Sequence, residues 1–285
     1  MAIGPPGFMV AAPPLNSIPR YGLLSVVPPV ELDDPHAWAG GVEWEEDICS
    51  SVESYVENCP PATGHVKSVE TDLEFCHADP FIIKASYKCS TGGRSVSESV
   101  PIARRRLLLW EPHELERVLW TGNSVNGPVN PSLAFGNDTC EITPTILSLE
   151  DEPLTVVGGM AILEEALTDV VPGGGLIHAP FGLASYLTDA DLLERVDSRY
   201  YSPTGFPFIL GSGYPGSGPG NVPADPGTTW VFGTGPLGVW RSELFMNPPE
   251  ISEGIDRYRN DITIFAERFY VVGFSCALFA VQVHL

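Results

Sequence analysis

The stretch Ala103–Gly122, ARRRLLLWEPHELERVLWTG, constrains the fold more than any other part of the chain. Leu108, Leu115, Val118 and Leu119 fall at helical spacing and can share one face. Arg104, Arg105, Glu111, Glu114, Glu116 and Arg117 fall mostly elsewhere. This is the longest amphipathic helix the sequence supports, so the rest of the chain must supply the surface that covers it. Pro112 interrupts the pattern. An interior proline costs about 3 kcal/mol and removes a backbone donor, which predicts either a kink there or a restart with Pro112 in a first turn.

What covers such a helix depends on how much core the chain can build. Its 285 residues suffice for one large domain or two small ones, and 44% hydrophobic with 10% aromatic residues exclude a wholly disordered chain. Charged residues make up only 18%, and glycine (29) with proline (28) about a fifth. A loop-rich chain with a weakly charged surface suits an assembly, because interface cores are depleted of charge. The net charge of −21 and the presence of only three lysines, Lys67, Lys84 and Lys88, argue against a nucleic-acid-binding surface. Arg104, Arg105 and Arg106 form the only basic run and are expected to pair with carboxylates rather than phosphate.

The first forty residues carry eight prolines, a density that forbids regular helix or central strand. Phe8, Met9, Val10, Leu23, Leu24, Val26 and Val27 are nevertheless too apolar for a solvated tail, so an extended arm lying on another surface is expected, with a disordered leader as the alternative. Residues 41–62 read as an acidic loop or short helix. Residues 66–75 and 81–89 have strand composition with Asp79-Pro80 as the turn, which predicts a long hairpin leading into the helix, and Ser90–Arg94 is a second turn. Short strands are expected at 132–135 and 145–149. A second helix spans 159–171 with Ile162, Leu163, Ala166, Leu167 and Val170 on its apolar face, stopped by Pro172 and Gly173–Gly175. Leu176–His178 is a buried strand, Pro180 opens a third helix through Leu187, and Thr188–Asp191 caps a fourth over 190–196. Strands follow at 206–210, 229–233, 237–242 and across 261–283. The glycine- and proline-rich stretch 211–227 reads as a flexible surface loop. Helices and mainly antiparallel strands are segregated, which gives an α+β class.

Motifs for chemistry are sparse. Neither glycine-rich stretch has dinucleotide or P-loop spacing. Ser185 lies in Gly182-Leu-Ala-Ser-Tyr186 rather than a nucleophile elbow, and a hydrolase using Ser185 with His178 as base is the reading from a different class. Cys49, Cys59, Cys76 and Cys89 include no Cys-x-x-Cys pair, so a zinc site is disfavoured. The N-terminus lacks a signal-peptide pattern. The six cysteines, with Cys140 and Cys276, are therefore read as free structural thiols made in a reducing cytoplasm, with late oxidation as the alternative. Phe269–Val283 is apolar but short and β-branched for a membrane span. No catalytic, cofactor-binding or metal-binding residue is assigned, and no cofactor and no membrane partner are expected.

The order of elements is more specific than any motif. Glu114-Leu-Glu-Arg-Val-Leu-Trp-Thr-Gly122, Gly175-Leu-Ile-His-Ala-Pro180 with Ala184, Thr204-Gly-Phe-Pro with Gly211-Ser-Gly-Tyr214, and Ile264-Phe-Ala-Glu-Arg268 followed by Ala280-Val-Gln-Val283 occur in sequence. Together they resemble the HK97-type major capsid proteins of tailed bacteriophages, those of actinobacterial phages above all, and the encapsulins that share their fold. The resemblance runs from about residue 20 to the end. It implies an N-terminal arm over 1–62, an extended E-loop over 63–100, and a peripheral domain from 101–144 and 241–285 with a long spine helix. It also implies an axial domain over 145–240, with part of the C-terminal region returning through the axial sheet and the 211–227 loop facing the capsomer axis. The function implied is a structural, non-enzymatic subunit that self-assembles into hexamers and pentamers around double-stranded DNA, without binding it specifically. It implies assembly in the host cytoplasm with a separate scaffolding protein, a portal and decoration proteins. The scaffolding protein is expected to be separate because the chain has no room for a scaffolding segment of its own. An encapsulin shell and a minor virion protein are the alternatives. Some relatives crosslink a lysine to an asparagine; Lys84 and Lys88, with Asn247 and Asn260, are the residues available, and solvated lysines are the preferred reading.

Overall fold

The computed structural model describes residues 21–45, 49, 75–90, 95–147, 152–247, 255–256 and 258–285. The expectations placed on residues 1–20, 46–48, 50–74, 91–94 and 148–149 lie outside them. From the N-terminal side the chain forms α1 (Leu23–Val26), β1 (Val30–Glu31), α2 (Pro35–Gly40), β2 (Val42–Glu45), β3 (Phe75–Ala78) and β4 (Phe81–Ser90). The long helix α3 (Val96–Thr121) follows, then β5 (Asn123–Ser124), β6 (Gly127–Pro128) and β7 (Thr145–Ile146). Next come α4 (Val156–Val170), β8 (Leu176–Pro180), α5 (Ala184–Asp189), β9 (Glu194–Val196), β10 (Arg199–Tyr201) and β11 (Pro207–Gly211). The chain closes with β12 (Thr228–Thr234), β13 (Leu237–Arg241), β14 (Phe245–Asn247), β15 (Ile255–Asp256), β16 (Asp261–Phe274) and β17 (Leu278–His284).

Helix α3 begins at a capping box. The Ser95 hydroxyl accepts from the Glu98 amide, and the Glu98 carboxylate accepts from the Ser95 amide. It ends at Gly122, whose left-handed conformation suits glycine. The helix runs unbroken through Pro101 and Pro112, so neither a break nor a restart occurs. The carbonyls these prolines orphan belong to exposed Ser97 and Leu108, where water can take the missing bond. The buried row is Ala103, Leu107, Glu111, Leu115, Val118 and Leu119. Leu107, not Leu108, therefore faces the core, and Leu108, Leu109 and Trp110 are exposed.

Two sheets flank this helix. A six-stranded sheet is built on the 14-residue strand β16, which pairs with β4, β13, β14 and β15, while β1 adds in parallel to β13. β4 pairs with β16 along its whole length and β3 pairs with β2; the first arm of the predicted hairpin, 66–74, lies outside the described residues. A seven-stranded sheet has the order β7-β17-β12-β8-β11-β10-β9. Its core packs Met160, Leu163 and Leu167 of α4 and Leu183 and Leu187 around α5 against Phe208, Val231 and Val281. Gly159 of α4 lets the helix sit on β17, since a Cβ there would meet Val283 at 2.4 Å. The expected fourth helix over 190–196 is instead a turn and then the hairpin β9–β10, with Asp191 and Asp197 at positive φ.

One ribbon passes through both sheets. β12 pairs antiparallel with β17 in the seven-stranded sheet, and the same two chain segments continue as β13 paired with β16 in the other. At the crossing the Gly235 amide donates to the Ala277 carbonyl and the Ser275 amide to the Pro236 carbonyl. Among the described residues no helix is long and apolar enough to cross a membrane, and the apolar run 269–283 lies in β16 and β17. Residues 21–45, expected as part of an arm over a neighbour, pack on their own chain. Tyr21 meets β11 through its carbonyl, and the Trp38 ring stacks on Phe269 at 5.9 Å.

Candidate functional site

The clearest concentration of buried polar chemistry is the joint where α3, the start of the described chain and the stretch 211–222 meet. Glu116 on α3 is fully buried. One carboxylate oxygen accepts from the Leu23 amide at 3.0 Å; the other accepts from the Gly213 amide at 2.9 Å and the Ser212 hydroxyl at 3.2 Å. Burial raises its pKa above the ordinary carboxylate value, against the opposing pull of these donors and of His113. Gly213 lies flat on α3, since a Cβ there would stand 1.9 Å from the His113 carbonyl oxygen. Beyond it the Trp120 indole donates to the Ser217 carbonyl, the Gly220 amide to the Ala134 carbonyl, and the Asn221 amide to the Thr121 carbonyl. The 211–227 stretch, expected as a flexible surface loop, is thus a strap whose first half is tied to α3. Composition hid this, because glycine permits close approach as readily as it permits mobility.

His178 extends the same cluster into the seven-stranded sheet. It sits on β8, fully buried, with Nδ1 3.0 Å from the Tyr214 hydroxyl and Nε2 2.9 Å from the Thr234 hydroxyl. Burial lowers its pKa to about 3, so the ring is neutral at physiological pH. Tyr214, also buried, packs on Trp120 at 4.8 Å between ring centroids, and burial raises its hydroxyl well above its ordinary value. Ser185 is exposed on α5. Both ring nitrogens of His178 are engaged by residues other than Ser185, so the structure does not bring the expected serine and base together.

A second tie fixes α3 to β16. Arg268 Nη1 donates to Glu111 Oε1 at 2.6 Å, and the Tyr270 hydroxyl donates to the same oxygen. The basic run does not find carboxylates: among the described residues Arg104, Arg105 and Arg106 form no ion pair. Arg106 donates to the Ser86 carbonyl and lies 5.1 Å over the Tyr87 ring. Lys88 pairs with Asp261 at 2.9 Å, and Lys84 lies opposite Glu267 across the β4–β16 ladder. A groove of about 620 Å³ opens beside α3, lined by Trp38, Ile82, Leu107, Trp110, Val125 and Phe269 among others.

Four of the cysteines expected as free thiols are paired. Cys49 bonds Cys276, and Cys76 bonds Cys140. The pairing joins residues far apart in sequence, which the spacing of cysteines alone does not encode. Cys89 is free. No group of His, Cys, Asp and Glu able to hold a metal occurs among the described residues.

No protein-family model and no curated protein matches the sequence. Solved structures match the fold along nearly the whole chain. The capsid of a native GTA particle covers 99% of this chain and 96% of its own, at 10% identity and a TM-score of 0.57. A structure of Mycobacterium phage Ogopogo covers 98% and 96%, at 13% identity and a TM-score of 0.55. The holo-SrpI encapsulin complex of Synechococcus elongatus covers 96% and 91%, at 14% identity and a TM-score of 0.52. The chain has the HK97-like capsid fold, an α+β architecture, as the order of its sequence motifs implied.

Proposed function

We propose that the chain is a structural subunit of an icosahedral shell of the tailed-phage head type, self-assembling into hexamers and pentamers around double-stranded DNA. The observation that carries this reading is the end-to-end match to the capsid of a native GTA particle, 99% of one chain against 96% of the other. The surface agrees. Trp110, Phe75, Ile82 and Val125 are all at least half exposed or nearly so, which suits contact with further copies of the chain. The net charge of −21 suits a wall that must not grip the polyanion inside it.

Within this reading, α3 and the six-stranded sheet form the peripheral domain, and the seven-stranded sheet with α4 and α5 forms the axial domain. The extended loop falls within 63–100, followed by the spine helix α3. The role is structural rather than catalytic. A separate scaffolding protein, a portal and decoration proteins complete the set of partners, with assembly in the host cytoplasm and the virion capsid as final location. An encapsulin-type compartment is the second reading, favoured by the Synechococcus elongatus match.

The test is expression with and without a scaffolding partner, followed by electron microscopy. Closed shells or regular capsomers support the reading, and DNA or protein contents separate phage head from encapsulin. Monodisperse monomers under both conditions overturn it.

A further inference from the structure

Both disulfides stand at the feet of one chain segment. β2 ends at Glu45 and Cys49 follows it; β3 begins at Phe75 and contains Cys76. The two strands pair with each other, Trp44 opposite Cys76. Residues 49 and 76 each carry a covalent bond to a different part of the body. Cys49 is tied to Cys276, in the crossing between β16 and β17. Cys76 is tied to Cys140, in the 3₁₀ turn Asp138–Cys140 that follows β6.

Each bond also sits beside contacts that hold its partners together without it. At the first foot the Trp44 indole donates to the Ser275 hydroxyl at 2.7 Å. The same ring lies over Gly273, where a Cβ would meet it at 2.3 Å, and stacks on Trp240 at 5.9 Å. At the second foot the His77 amide donates to the Thr139 hydroxyl at 2.8 Å, and the Asp79 amide donates to the Asn130 carbonyl at 2.7 Å. The fold thus places all four thiols for pairing by ordinary packing and hydrogen bonds. Pairing is a step the folded subunit can take afterwards.

We propose that the two cysteine pairs are an oxidative lock, open while the subunit folds and assembles in a reducing cell and closed once the particle is released. The proposal rests on the shell reading above. A small-molecule disulfide such as oxidised glutathione is a sufficient oxidant. Each pair loses two protons and two electrons to form one S–S bond, and the oxidant's own S–S bond is reduced to two thiols. The two locks differ in access. Cys76 and Cys140 are buried, whereas Cys49 and Cys276 are partly exposed. The Cys49–Cys276 bond is therefore the first to exchange with an added reductant, and the Cys76–Cys140 bond the last.

The experiment traps thiols with N-ethylmaleimide in producing cells and in released particles, followed by mass spectrometry of non-reduced digests. The expected result is alkylated Cys49, Cys76, Cys140 and Cys276 inside the cells, and crosslinked 49–276 and 76–140 peptides in released particles. Particles assembled under reductant and then treated with oxidised glutathione are expected to open at a temperature raised by about 5 °C or more. That gain is lost in the Cys49→Ser/Cys76→Ser double variant, which still assembles under reductant. Alkylated cysteines in released particles overturn the proposal, as do bonds already closed inside the cell or an unchanged opening temperature. Each of these leaves the shell itself visible by electron microscopy. Monomers under every condition overturn the shell reading, and the lock with it.

Discussion

Replacing Glu116 with alanine tests the joint directly. The carboxylate accepts from two buried amides, Leu23 and Gly213, and from the Ser212 hydroxyl. Alanine leaves both amides without an acceptor, at about 1–3 kcal/mol each, while the hydroxyl can rotate to another partner. Relief of the buried charge offsets part of this, since burial alone raises the Glu116 pKa. The net loss is about 3 kcal/mol, or roughly 6–12 °C in melting temperature. Glutamine keeps the shape but turns an NH2 group toward one donor, and loses about half as much. The sign of the pH dependence follows from the raised folded pKa. The proton-linked part of the wild-type Glu116 contribution is full below about 4.5 and is lost as pH rises through the folded value, while the hydrogen bonds from Leu23 and Gly213 remain. The gap between wild type and Glu116→Gln therefore narrows as pH rises from there. The assays are denaturant titration followed by tryptophan fluorescence, with Trp120 as the nearby reporter, and hydrogen exchange at the Leu23 and Gly213 amides. A Glu116→Ala subunit within about 0.5 kcal/mol of wild type, with both amides still protected, refutes the reasoning.

Four further outcomes are expected. Gly213→Ala drives a methyl group into the His113 carbonyl, and lifts the strap from α3 at a cost of about 3 kcal/mol, read as faster proteolysis within 211–227. Glu111→Ala strands Arg268 in the interior and costs about 3–5 kcal/mol by denaturant titration, whereas Glu111→Leu with Arg268→Met recovers most of it. His178 has a folded pKa of about 3 against an ordinary 6.5, so its contribution is full above 6.5 and is lost as pH falls toward 3, at about 1 kcal/mol per pH unit. A melting series from pH 7 to pH 4 shows this acid limb in wild type and a flatter one in His178→Asn. Ser185→Ala leaves assembly and melting unchanged, and any hydrolytic activity lost with it revives the enzymatic reading.

The elements that were legible are those whose signal is local. The apolar spacing of Leu163 and Leu167 and the stop at Pro172 fix α4 within a few residues, although Met160 rather than Val170 completes its buried face, and the apolar runs of β8, β11 and β12 stand out because all three are interior strands. What was not legible depends on partners distant in sequence. The strand composition of β4 is plain, but its partner β16 is supplied by residues 261–270, far along the chain, which composition does not encode. The buried face of α3 is set by the row Ala103–Leu107–Glu111–Leu115. It runs through a glutamate that looks like surface until Arg268 and Tyr270 are brought against it. The four paired cysteines and the strap on α3 fail for the same reason: glycine and cysteine report nothing about what stands opposite them.

The ribbon formed by β12–β13 and β16–β17 makes the connection between the two sheets a leaf spring. Two antiparallel strands bonded edge to edge resist stretching and sideways shear, because either motion breaks a ladder. They yield more readily to bending out of their own plane, and the crossing lies at Gly235–Pro236 on one strand and Ser275–Ala277 on the other. The spring is a stiff one: Leu176, Ile209, Phe232 and Leu278 of the seven-stranded sheet share one core with α3 and β16, so the halves bend only as that core repacks.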